Sequence, residues 1–167
     1  TFVTLGSFVK DNLLEIEPSL REITTAINLP IRTNNYVHVN NKECSTSMNN
    51  EYMFGSAGVA ALSKGSDHLF SLASAFEGVA NYEFVHVGFT KENYIMDQIK
   101  KHKCVKFYSH LSIREYEMKF NQFDFLLLFY PKKSYRLGFS GVFLDMITHE
   151  KPLIALENDF FRFYFNT

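Results

Sequence analysis

Two stretches of the chain concentrate residues suited to holding an anionic ligand. The first, at 55–65, reads Gly55-Ser56-Ala57-Gly58-Val59-Ala60-Ala61-Leu62-Ser63-Lys64-Gly65. Glycines let a backbone approach a ligand and take positive φ, and a lysine beside such a turn can neutralise a phosphate. The alternative is a tight turn with a solvated lysine. The second, at 131–141, reads Pro131-Lys132-Lys133-Ser134-Tyr135-Arg136-Leu137-Gly138-Phe139-Ser140-Gly141 and runs into VFLDMITHE. Three cations precede a helix start, where free N–H groups and the macrodipole favour an anion. Ser140 suits that start as a cap and Gly141 as a close-approach residue. Asp145, about one turn into the helix, is placed to accept hydrogen bonds from ribose hydroxyls; otherwise it is a surface carboxylate near a helix start. Together the loops would set Lys64 and the helix start at Ser140 and Gly141 on opposite sides of one crevice, an arrangement that suits a diphosphate.

Other chemistries find less support. Histidines 38, 68, 86, 102, 110 and 149 make no zinc-type pairing with one another or with Cys44 and Cys104, so each reads as solvated or satisfied in the core. No nucleophile elbow, Walker-type phosphate loop or paired-carboxylate pattern supports a hydrolase. The 17 basic and 18 acidic side chains, at 46% hydrophobic and 21% charged residues, exclude a disordered tail and give no electrostatic reason to expect nucleic acid. No metal is expected. The two cysteines read as reduced thiols of an intracellular protein. No apolar run approaches the roughly 18 residues of a membrane span. With Thr1 in first place, the 167 residues read as a processed or excised piece, and 18 Phe beside 9 Tyr and no Trp suggest that some aromatics cover a surface missing from it.

The elements that must position the two loops follow a regular pattern. Strand-like runs fall at 51–55, 82–87, 104–108, 124–130 and 152–156, with helix-length segments at 66–77, 91–102, 112–121 and 140–149. Continuous apolar runs such as FLLLFY suit strands buried on both faces, and strict β/α alternation implies a parallel sheet. The expectation is a doubly wound, mainly parallel, Rossmann-like α/β domain over 51–167. In the common strand order 3-2-1-4-5, the first and fourth strands are neighbours, and ligands bind at their carboxyl ends. Those ends carry the two loops above. Upstream, residues 1–5 read as a strand, and Ser7 as the cap of a helix through about Ile16 with Phe8, Leu13 and Ile16 on its buried face. Another helix is expected from Pro18 to before Pro30, an extended stretch at 35–39, and a polar linker at 40–51. Residues 1–50 thus form a separate segment.

The pattern resembles the nucleotide-binding, C-terminal half of GT-B glycosyltransferases, particularly the retaining type that builds bacterial polysaccharides. The likeness rests on GSAGVAALSKG after the first strand, and on FLLLFYPKKSYRLGFSGVFLDMITHEKPLIAL, in which the fourth strand leads through a loop into a helix, Lys-Pro and an apolar strand. It covers roughly 51–165, and 1–50 resembles the end of the acceptor-side domain entering the linker. The resemblance implies that Gly58, Lys64, Arg136, Ser140 and Gly141 hold the donor diphosphate. It also implies that Asp145 holds the ribose and that backbone near Phe107 and Tyr108 runs along the base. No catalytic residue is assigned. Where the family carries an arginine after the loop glycine this chain has Val59, and where it carries the first of two glutamates this chain has Leu137.

The implied activity is metal-independent, hexosyltransferase-like transfer from a nucleotide-diphosphate sugar, bound as substrate with no cofactor, to a glycan or lipid-linked acceptor. It implies a cytoplasmic location, at the inner face of a membrane, with peripheral association in the full-length protein; the isolated chain would be incomplete. Rival readings are a sugar-nucleotide epimerase of the same architecture and a non-catalytic α/β binding or interaction module.

Overall fold

The computed structural model describes residues 1–28 and 52–165. The expectations for 29–51, including the extended stretch at 35–39 and the linker with Cys44, lie outside the described residues.

Five strands form one parallel sheet: β3 (Tyr52–Val59), β4 (Tyr82–Phe89), β5 (Val105–Tyr108), β6 (Phe125–Leu128) and β7 (Leu153–Ala155), in the order β5-β4-β3-β6-β7. This is the expected 3-2-1-4-5 arrangement. Each crossover carries a helix: α2 (Asp67–Ala75), α3 (Asn93–Lys101), α4 (Ile113–Asn121) and α5 (Gly141–Thr148). The FLLLFY run shows why the sheet is buried on both sides. Leu126 and Leu128 face one core with Val85, Val87, Phe120 and Phe143, while Leu127 faces the other with Leu69, Phe70, Phe84 and Ile95. Alternation along a strand sends successive side chains to opposite faces, so a continuous apolar run fills both layers.

Local signals explain where the helices start. In α4, Ser112 and Glu115 form a reciprocal capping box. In α5, the Ser140 hydroxyl accepts from the Phe143 N–H, as the sequence suggested.

The amino-terminal segment folds differently from expectation. Strand β1 (Phe2–Leu5) and helix α1 (Ser7–Ile16) occur, but Gly6 occupies the cap position without a side-chain bond, and Ser7 is already helical. The buried residues of α1 are Phe8, Val9 and Leu14, whereas Ile16 is exposed. Pro18 opens only a six-residue 3-10 turn, after which β2 (Thr24–Ile27) pairs in parallel with β1. The β-branched run Thr24-Thr25, followed by Ile27, favours strand over further helix.

The closing helix, α6 (Asp159–Phe165), corrects the reading of the aromatics. Phe160 is fully buried and Phe161 nearly so, against Phe8, Phe143 and Tyr130. Much of the Phe content is therefore this chain's own core. Phe163 and Phe165 remain about half exposed.

Candidate functional site: the crevice between β3 and β6

Strand β3 runs further than its apolar signal suggested, so Gly55, Ser56, Ala57, Gly58 and Val59 belong to the strand and the loop begins at Ala60. The extension pairs with β4 alone: register runs from Tyr52↔Tyr82 to Val59↔Phe89, whereas β6 pairs only with Phe54 and Gly55. Past Gly55 the two central strands separate. A narrow crevice of about 20 Å³, room for one water, opens between them and is lined by Ser56, Val59, Lys64, His86 and Tyr130 among others.

Three contacts bring the two sequence-predicted loops to this crevice. Gly58 has φ +88°, and a Cβ there would lie 2.9 Å from Val142 Cγ2 in the first turn of α5. Gly65, in the left-handed region at φ +67°, packs so closely that a Cβ would lie 2.0 Å from the Phe129 carbonyl oxygen. That places Lys64 beside the end of β6. The Ser134 hydroxyl donates to the Ser63 carbonyl at 3.3 Å, joining loop to loop.

The N-terminus of α5 is fixed from below. Ser140 is buried, and its Oγ hydrogen-bonds both the Tyr130 hydroxyl (2.7 Å) and the Phe143 N–H (3.2 Å). Burial, above all, raises the Tyr130 phenol's pKa, which keeps it neutral. With Phe143 capped and Leu144 bonded to the Ser140 carbonyl, the N–H groups of Gly141 and Val142 are the ones in the first turn left without a partner among the described residues. Gly141 has open space where a side chain would be, so its lack of one is not sterically demanded.

The glycine-containing loop offers fewer donors than its sequence implied. The N–H of Ala60 donates to the Phe89 carbonyl, that of Ala61 to Ser66 Oγ and that of Leu62 to Glu92 Oε2. Among the described residues no carboxylate pairs with Lys64.

Behind the crevice lies His86, 3% exposed and stacked on Phe107 at 4.6 Å between ring centroids. Its Nε2 is 3.1 Å from the Gly58 carbonyl and its Nδ1 2.7 Å from Ser56 Oγ. A carbonyl only accepts, so Nε2 carries the proton and Nδ1 accepts from the Ser56 hydroxyl. Desolvation lowers its pKa to about 4, with the nearby Lys64 charge acting in the same direction.

The other predicted residues lie around this centre. Asp145 accepts a 2.8 Å hydrogen bond from the Tyr116 hydroxyl of α4, which leaves one carboxylate oxygen outside that bond. Burial first, then the Asp145 charge, raises the Tyr116 pKa. Arg136 turns to α1, bonding Asn12 Oδ1 at 3.2 Å and pairing with Glu15, so its guanidinium is engaged outside the crevice. The Tyr108 ring is covered by the Lys119 ammonium at 4.4 Å, and Phe107 is committed to His86. Sequence reasoning missed Ser56, His86, Tyr130 and Tyr116. The pairing Ser56↔His86 follows once Gly58 and Gly88 are set opposite each other, a register that no single strand reveals.

A larger apolar groove of about 580 Å³ lies on the α2 face, lined by Phe54, Phe76, Phe84, Phe129, Ile154 and Leu156 among others. No cation lines it. Among the described residues no group of three or more His, Cys, Asp or Glu could hold a metal ion, and no helix is long and apolar enough to cross a membrane.

No protein-family profile matches the chain, and no curated protein sequence matches it. Solved structures do. The fold is similar to the C-terminal domain of a glycosyl transferase group 1 family protein, LpcC, from Francisella tularensis (13% identity, 62% of this chain and 57% of that one, TM-score 0.50). It is also similar to the pneumococcal O-GlcNAc transferase GtfA, whose structure holds UDP and GlcNAc (14% identity, 94% of this chain and 30% of that one, TM-score 0.58). The chain thus spans just over half of the first and under a third of the second. The likeness is one of fold, and it agrees with the doubly wound, Rossmann-like architecture.

Proposed function

We propose that the chain is the donor-binding half of a GT-B glycosyltransferase, holding the diphosphate of a nucleotide sugar at the mouth of the β3–β6 crevice. The observation that carries this reading is the meeting of Gly58 with the first turn of α5 beside Lys64, at the carboxyl ends of the two central strands. Lys64 and the N–H groups of Gly141 and Val142 would face the diphosphate, with Asp145 toward the ribose and the end of β5 toward the base. Charge develops on the leaving phosphates as the sugar departs, so a fixed ammonium and helix N–H groups aimed there lower the barrier without a metal. The glycan or lipid-linked acceptor, hexose transfer and work at the cytoplasmic face of a membrane belong to this proposal for the longer protein. The UDP in the GtfA structure makes a uridine nucleotide the first probe.

A second reading, a donor half that binds without transferring, is favoured by Val59 and Leu137 and by the engagement of Arg136 with Glu15. Calorimetric titration in EDTA with UDP, GDP and ADP tests both. Binding of at least one supports a donor half, and release of that diphosphate from its sugar conjugate separates transferase from scaffold. No binding of any at millimolar concentration would contradict both.

A further inference from the structure

We propose that His86 is a positioning residue for the anion crevice: as the Nε2–H tautomer it locks the Gly58–Val59 peptide so that the Val59 N–H faces the crevice. This inference rests on the donor-half reading and adds a residue that the sequence motifs do not contain.

The Gly58 carbonyl points toward β4, where it accepts from His86 Nε2 and packs so tightly on Gly88 that a Cβ at 88 would lie 1.8 Å from it. In a trans peptide the carbonyl and the following N–H point in opposite directions. No cis peptide is present among the described residues. The Val59 N–H is therefore directed away from β4, to the side where β6 pairing ended at Gly55 and where α5 begins. Val59 lines the crevice. Of the N–H groups at 59–62, those of Ala60, Ala61 and Leu62 are already bonded within the protein, which leaves that of Val59 to meet a ligand.

Gly58 lies near the end of the β3–β4 ladder, and glycine takes either sign of φ at little cost, so the His86 bond adds to the hold of the ladder on this peptide. A rotated peptide would turn its carbonyl into the crevice and repel an anion. His86 opposes that rotation because its proton is fixed at Nε2 by the Ser56 hydroxyl on Nδ1. The imidazole is held in turn by its stack on Phe107. Both ring nitrogens of His86 are bonded within the protein, so in this arrangement it acts through Gly58.

Two substitutions separate the halves of the network. Glutamine can place an amide N–H where Nε2 lies and keep the Gly58 bond, whereas asparagine reaches only the Nδ1 position. UDP affinity is expected to fall by about tenfold in His86→Asn and to stay within about threefold in His86→Gln. A role in stability alone would weaken both variants together, and equal affinities would overturn the proposal, as would loss in His86→Gln only. If wild type binds no nucleoside diphosphate, the donor-half reading falls and this inference with it. Should neither variant fold, nitrogen NMR of the His86 ring in wild type decides: a proton on Nε2 is expected, and one on Nδ1 overturns the lock.

Discussion

Gly58 touches Val142 only because residue 58 has no side chain: a Cβ would stand 2.9 Å from Val142 Cγ2 on a backbone at φ +88°. This approach joins the end of β3 to the first turn of α5, beside the crevice between β3 and β6. Gly58→Ala is expected to cost about 1–3 kcal/mol, from left-handed strain and crowding. Gly141→Ala, with open space around it, should stay within about 1 kcal/mol of wild type. Urea unfolding measures both, and equal costs would contradict the described approach.

The buried His86 makes stability depend on pH in a defined direction. Its pKa is lowered from 6.5 to about 4, so below pH 6.5 the unfolded chain takes a proton that the native chain refuses. Its share of stability is complete above about pH 6.5 and is lost as pH falls toward 4, by an amount on the order of 3 kcal/mol. His149, also lowered by partial burial, adds to the same slope. The slope between pH 4 and 6.5 should flatten in His86→Gln, and an unchanged slope would mean that the imidazole is not buried neutral.

Tyr116 and Asp145 give a prediction about the ribose. Tyr116→Phe removes the hydroxyl that Asp145 accepts from, at a cost of about 1 kcal/mol in stability. If the remaining Asp145 oxygen meets a ribose hydroxyl, the preference for UDP over 2′-deoxy-UDP should change by about threefold or more. An unchanged ratio would detach Asp145 from the ribose.

Arg136→Ala is expected to loosen α1 and leave diphosphate binding nearly intact. The guanidinium pairs with Glu15 on an exposed surface, a contact worth about 0–1 kcal/mol. A loss of UDP affinity as large as that from Lys64→Ala would return Arg136 to the crevice.

The sheet was legible in the sequence because it depends on period and length. FLLLFY and YEFVHV are too apolar for an exposed face, and the segments between them are the right length for crossover helices. The cap at Ser140 was legible for the same local reason. What was hidden depends on register and on side-chain direction. Gly58 reads as loop because glycine is a poor strand former, yet its carbonyl and the packing of Gly88 keep it in the ladder with β4. His86 reads as an ordinary core histidine until Ser56 is placed across from it. Arg136 reads as an anion ligand because nothing in its own loop discloses that Glu15 and Asn12, over a hundred residues earlier, reach it first. Segment 18–27 escaped because Pro18 signals a helix start, while Thr24, Thr25 and Ile27 favour extension.

The most direct test of the donor-half reading is a side-by-side calorimetric titration of wild type, Lys64→Ala and Lys101→Ala with UDP. Lys101 is an exposed lysine at the end of α3, away from the crevice. Lys101→Ala is expected to bind as wild type does, and Lys64→Ala at least about tenfold more weakly, the loss of a phosphate contact of roughly 1.4 kcal/mol. Equal affinities for the two variants would contradict the crevice as the diphosphate site.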